Sequence, residues 1–175
     1  MTDLFFVDAN VVVYARDASN PLKQSQATEW LQRLWRDQTG RTSIQVLSEY
    51  YVTVTRKMKP GLPRDDAWED VCALFSWRPQ AVDEALLRRG REIQERYGIA
   101  WWDSLIVGAA QLQGCSMVLS EDLQDGGVYG GVTVRSPFTL AVNEPLPSYV
   151  PARSVASPPR GRGRPKKSTS LRTST

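Results

Sequence analysis

The sequence predicts an α/β domain built on a central, mostly parallel sheet. Short, uncharged apolar runs recur along the chain, segments of helical periodicity lie between them, and no internal repeat is visible. Leu4 to Val7 is the first apolar run, of the kind buried on both faces in a parallel sheet, and it ends at Asp8-Ala9-Asn10. Lys23 to Arg36 spaces Ala27, Trp30, Leu31, Leu34 and Trp35 at helical intervals, with Gly40 as the expected C-cap. Ser43 to Lys59 fits two periods. Tyr51 to Thr55 alternates like a strand, whereas Leu47, Tyr50, Tyr51, Val54 and Met58 form a helical stripe.

Pro60-Gly61-Leu62-Pro63 imposes a loop, after which Asp65 or Asp66 can cap a helix carrying Trp68, Val71, Cys72 and Phe75. A short segment near Arg78 to Val82 leads into a helix over Asp83 to Tyr97. That helix turns Ala85, Leu86, Ile93 and Tyr97 inward and stops at Gly98. The next helix begins near Asp103, carries Leu105, Ile106, Ala109 and Leu112 on one face and stops at Gly114. Strands over Met117 to Leu119 and Val132 to Val134 complete the domain.

At 175 residues, 41% of them hydrophobic and with six Trp, the chain fits one domain plus an appendage. The expected boundary puts a domain at 1–140 and a Pro-rich, basic, disordered tail at 141–175. Six of the eleven prolines lie from Pro145 onward. From Pro151 onward there are seven basic residues and no acid, which leaves the body mildly acidic, 15 basic against 19 acidic residues. Cys72 and Cys115 stand alone, so a disulfide framework is not expected and both read as small buried hydrophobes. Asp8 interrupts the N-terminal apolar run and no basic segment precedes it, which argues against a signal peptide. The longest uncharged stretch, Ser104 to Ser120, is too short and too polar to span a bilayer. A cytoplasmic protein without a membrane segment is the expectation.

There is no histidine, which excludes Ser-His-Asp and Cys-His catalysis and imidazole metal ligands. Chemistry must then rest on carboxylates. In an open parallel sheet ligands sit beyond the carboxyl ends of the strands, where Asp8 follows the first strand and Glu121 and Asp122 follow Met117 to Leu119. Asp103, at the start of a helix, can join that rim, with N-capping as its structural alternative. Clustered carboxylates repel one another unless a cation intervenes, and oxygen-only donors favour Mg²⁺ or Mn²⁺ over Zn²⁺. Such ions activate water and stabilise charge on a phosphoryl group. The paired acids Asp65-Asp66 and Asp83-Glu84 instead open predicted helices, where acids cap and complement the dipole. Of Trp101 and Trp102, either can stack on a base, and at least one belongs to the core.

Phe6-Val7-Asp8-Ala9-Asn10-Val11-Val12-Val13-Tyr14, Ser48-Glu49, Trp102-Asp103-Ser104-Leu105-Ile106 and Leu119-Ser120-Glu121-Asp122-Leu123-Gln124 resemble the successive acidic motifs of PIN-domain nucleases, especially VapC-type toxins of bacterial toxin–antitoxin pairs. The resemblance runs from about Leu4 to Val134. It implies a three-layer α/β/α fold, Mg²⁺ or Mn²⁺ held by Asp8, Glu49, Asp103 and Asp122, and endonucleolytic cleavage of RNA leaving a 5′-phosphate and a 3′-hydroxyl. Asn10 and Ser120 would support those acids by hydrogen bonds. For the fourth acid Asp122 competes with Glu121 and Asp125. The resemblance also makes Ser43 to Lys59 a helix, and it implies a small antitoxin as partner and a homodimer.

Arg160-Gly161-Arg162-Gly163-Arg164-Pro165-Lys166-Lys167 is similar to the AT-hook, which lies along the minor groove of A·T-rich DNA. A generic polybasic tail is the competing reading. Two other functions are open to this sequence. One is a phosphatase-like α/β enzyme, against which Asn10 counts because a second Asp is wanted there. The other is a nucleic-acid-binding protein with an inactive acidic centre.

Overall fold

The computed structural model describes residues 3–142, so the expected tail lies, apart from its first two residues, outside the described residues, and the AT-hook-like stretch does so entirely. Among the described residues there are five strands and six α-helices: β1 Phe5–Val7, α1 Ala9–Arg16, α2 Pro21–Asp37, β2 Gly40–Arg41, α3 Ile44–Val52, α4 Arg64–Leu74, α5 Glu84–Tyr97, α6 Trp101–Leu112, β3 Met117–Leu119, β4 Val128–Tyr129 and β5 Val132–Arg135. The strand order is β2-β1-β3-β5-β4, parallel throughout except where β4 pairs antiparallel with β5.

Pleating sends alternate residues to opposite faces of the sheet. Phe6, Val118 and Val134 stand in register and join Leu86, Ile93, Leu105 and Ala109 of α5 and α6 in one cluster. On the other face Phe5 meets the fully buried Trp30 of α2, ring centroids 5.9 Å apart. Helices therefore cover both faces, giving a three-layer α/β/α fold. Each large side chain removed from water in this way contributes about 1.5–3 kcal/mol.

Several elements depart from the expectations above. The segment after Asp8 is a helix, α1, although its Val11-Val12-Val13 run favours a strand; Asp8 caps it and Ala9, Val11 and Val12 are buried. Helix α2 begins at Pro21 behind the Asn20 cap and ends at Gln38, which takes the left-handed conformation expected of a glycine. Gly40 is instead part of β2, where a Cβ would come within 2.5 Å of the Trp77 ring. The segment with two periods is helical, as the resemblance implies: α3 behind its Ser43 cap, followed by a π-helical turn over Thr53–Lys57.

Pro63, not Asp65 or Asp66, stands at the cap of α4, and the two acids occupy its first turn. Cys115 is buried as expected, but Cys72 is exposed, as are Trp68 and Phe75, because α4 turns Val71 inward together with Ala67 and Leu74. Asp83 caps α5 through the Leu86 amide and Gly98 closes it, whereas Ala85 faces solvent. Helix α6 starts at Trp101, two residues before Asp103, and its Leu112 is partly exposed. No helix among the described residues is long and apolar enough to cross a membrane.

Candidate functional site

The site forms where β1 and β3 end side by side. The Asp8 amide continues their ladder by donating to the Leu119 carbonyl at 3.1 Å, so Asp8 and the Ser120–Asp122 loop leave the sheet together. Asp8 is 6% exposed. Its Oδ1 accepts from the Ala9 amide at 2.7 Å, which makes it the cap of α1, and its Oδ2 accepts from the Ser120 hydroxyl at 2.7 Å. Asn10 bridges the two loops: its side-chain amide lies 3.3 Å from Asp8 Oδ2, 3.1 Å from Ser120 Oγ and 3.0 Å from Asp122 Oδ2, and its Oδ1 accepts from the Glu121 amide. Asn10 and Ser120 thus hold the two acids in register.

Helix α3, capped by the buried Ser43 hydroxyl on the Val46 amide, carries Gln45 and Glu49 on one face, four residues apart. Asp103 lies in the first turn of α6, whose cap residue Ala100 has no side-chain acceptor, so Asp103 is not the N-cap. Asp8, Glu49, Asp103 and Asp122 line one crevice of about 390 Å³, together with Gln45, Trp102 and Ile106. The structure therefore brings all four expected acids to one place. Glu121 turns away to Lys23 Nζ at 2.5 Å, and Asp125 accepts from Arg135 and the Ser136 amide at 3.2 and 2.9 Å, so of the three candidates only Asp122 lines the crevice. Gln45 was not anticipated from sequence; its place one helical turn before Glu49 is the signal that points to it.

Burial pushes the Asp8 carboxyl up from 3.8 to about 6; the hydrogen bonds from Ser120 and Ala9 oppose this, and the charges of Glu49 and Asp122 reinforce it. Asp103 is also raised, first by burial and then by Asp122. No basic side chain lines the crevice. Among the described residues, no three acids or cysteines stand close enough together, as placed, to form a metal-holding group. The donor set is carboxylate and amide oxygen, the chemistry of a hard divalent cation, and such an ion would offset the repulsion that disfavours ionised Asp8.

These features define a three-layer α/β/α domain with an acidic crevice at the carboxyl edge of a parallel sheet. The chain belongs to the PIN domain family, which matches residues 5–124, and that membership implies a nuclease. None of the curated proteins matches the chain. Among solved structures, it is similar to a toxin–antitoxin complex from Klebsiella pneumoniae, with a TM-score of 0.56 and 16% identity over 77% of this chain and 98% of that one. It is also similar to DNA-bound VapBC from Salmonella typhimurium, with a TM-score of 0.55 and 15% identity over 78% of this chain and 99% of the other. VapC20 of Mycobacterium tuberculosis, described as a sarcin–ricin loop cleaving toxin, gives 0.50 and 20% over 67% and 91%. At these identities the likeness is one of fold.

Proposed function

We propose that the chain is a Mg²⁺- or Mn²⁺-dependent endoribonuclease that hydrolyses RNA phosphodiester bonds in the cytoplasm, acting as the toxin of a pair whose second member is an antitoxin protein. The reading rests on four carboxylates from separate parts of the chain lining one crevice without a basic partner. The fold likeness to proteins described as toxins and toxin–antitoxin complexes supports the partner.

In this reading Asp8, Glu49, Asp103 and Asp122 hold the metal through their carboxylate oxygens. Bound there, the ion would supply an activated water and offset the charge developing on the phosphoryl oxygens. The protein's own part is to fix the acids. Asn10 and Ser120 tie Asp8 to Asp122, and Ala9 orients Asp8 from the start of α1. Asn10 is also where a phosphatase of the aspartyl-phosphate type would need a second acid; its amide instead bridges Asp8 and Asp122.

Purified protein supplied with Mg²⁺ or Mn²⁺ is expected to cleave RNA, and Asp8→Asn and Asp103→Asn are each expected to abolish cleavage while circular dichroism stays unchanged. Cleavage that survives both substitutions refutes the assignment.

A further inference from the structure

The crevice has a second wall that carboxylate chemistry leaves unexplained. Gln45, Trp102 and Ile106 share the lining with the acids. Trp102 is 65% exposed, whereas Trp101 packs partly buried against the core. Trp30, Trp35, Trp68 and Trp77 each pair with another aromatic ring, and among the described residues Trp102 pairs with none. Trp102 is the most exposed of the six tryptophans, and it holds that large apolar ring in water beside charged groups without an aromatic partner. Gln45, on α3, carries amide donors and an acceptor with no hydrogen-bond partner among the described residues.

We infer that Trp102 is a stacking platform for one unpaired base of the substrate, with the Gln45 amide at that base's edge, so that the crevice takes a single-stranded or extruded nucleotide and not an intact duplex. This inference rests on the nuclease reading above. A base inside a duplex has both faces covered by its neighbours, and only an unstacked one can lie against an indole. Trp102 lines the same crevice as Asp8, Glu49, Asp103 and Asp122, so a base held on the ring brings its own phosphate toward the carboxylates. Stacking tolerates any base, because each has a π-face, and Gln45 adds what preference there is.

The test measures binding and turnover separately, with the full chain. In an Asp8→Asn background with Mn²⁺ present, a fluorescein-labelled single-stranded oligoribonucleotide and the same sequence as a blunt duplex are titrated by anisotropy. Adding Trp102→Ala is expected to weaken single-strand binding about tenfold or more and to leave duplex binding unchanged, while Trp102→Phe stays within a few-fold. The single strand should also quench tryptophan fluorescence, and Trp102→Phe should remove that quenching. With Asp8 restored, Trp102→Ala is expected to raise KM about tenfold at nearly constant kcat. Equal single-strand affinity and KM with and without the indole overturn the inference, as does an equal loss on single strand and duplex, or a loss only in binding to a protein partner. Failure of the unsubstituted chain to cleave overturns the nuclease reading instead, and the binding measurements still decide the role of Trp102.

Discussion

Two acids of this domain, Asp8 and Asp70, are both withdrawn from water and arranged in opposite ways. Asp70 on α4 meets the Arg16 guanidinium, with Nε at 2.9 Å from Oδ2, and accepts a hydrogen bond from the hydroxyl of the fully buried Tyr50. Burial and then Asp70 push the Tyr50 hydroxyl up, and Asp70 in turn raises Arg16, so Asp70 favours the neutral phenol and the charged guanidinium that face it. Asp8 has neutral donors on both oxygens and acids for neighbours, and its ionised form is disfavoured. A structural acid comes with its cation in the chain. Asp8 has no such cation, and in the proposed function a metal ion would take that place.

The comparison predicts opposite signs of stability. Because the folded-state value of Asp8, about 6, lies above 3.8, the folded state binds the proton more tightly than the unfolded chain. The resulting stabilisation is fully present below 3.8 and is lost as the pH rises through about 6. Without metal, Asp8→Asn is therefore expected to stabilise the domain at pH 7.5, by up to about 3 kcal/mol, and to have little effect near pH 4. Asparagine retains an acceptor for the Ala9 amide. Urea titrations of both proteins at the two pH values measure this, and an equal difference at both would break the contrast.

Asp70→Asn should act the other way. It removes the charge facing Arg16 and keeps an acceptor near Tyr50, so a loss of roughly 1–2 kcal/mol is expected at neutral pH, discounted because Arg16 is half-exposed. Cleavage of RNA per folded molecule should not change. Thermal melts and initial rates on the same preparation separate the two effects.

What was legible in the sequence follows from how each feature is encoded. Strands β1 and β3 announce themselves as apolar runs bounded by polar residues, and Asp8 and Asp122 follow from where those runs end. Helix α1 is hidden by three consecutive valines, whose local preference is overridden by the Asp8 cap and by burial of one helix face. Strands β2 and β4 have two residues each, too few for a period to show. Glu49 sits on an exposed helical turn that no hydrophobic pattern marks, so only the family resemblance pointed to it. Sequence left Glu121, Asp122 and Asp125 open as the fourth acid because what sets Glu121 and Asp125 apart in the structure is partners 98 and 10 residues away, Lys23 and Arg135.

That last choice gives the smallest predicted effect and a sharp local test of the comparison. Glu121 follows the Asp70 pattern on a lesser scale: Lys23 lies at 2.5 Å, with the Tyr14 hydroxyl 3.2 Å from the same ammonium. The pair is partly exposed, so Glu121→Gln should cost less than about 1 kcal/mol and should leave cleavage near the unsubstituted rate. Asp122→Asn, one residue on, retains an oxygen but removes a negative charge from the crevice, and it should lower cleavage while slightly relieving Asp8, whose ionised form Asp122 disfavours. Parallel rate measurements on the two variants decide the point. If Glu121→Gln proves the more damaging, the acid that carries its own cation is the functional one, and the distinction between the two kinds of carboxylate fails in this loop.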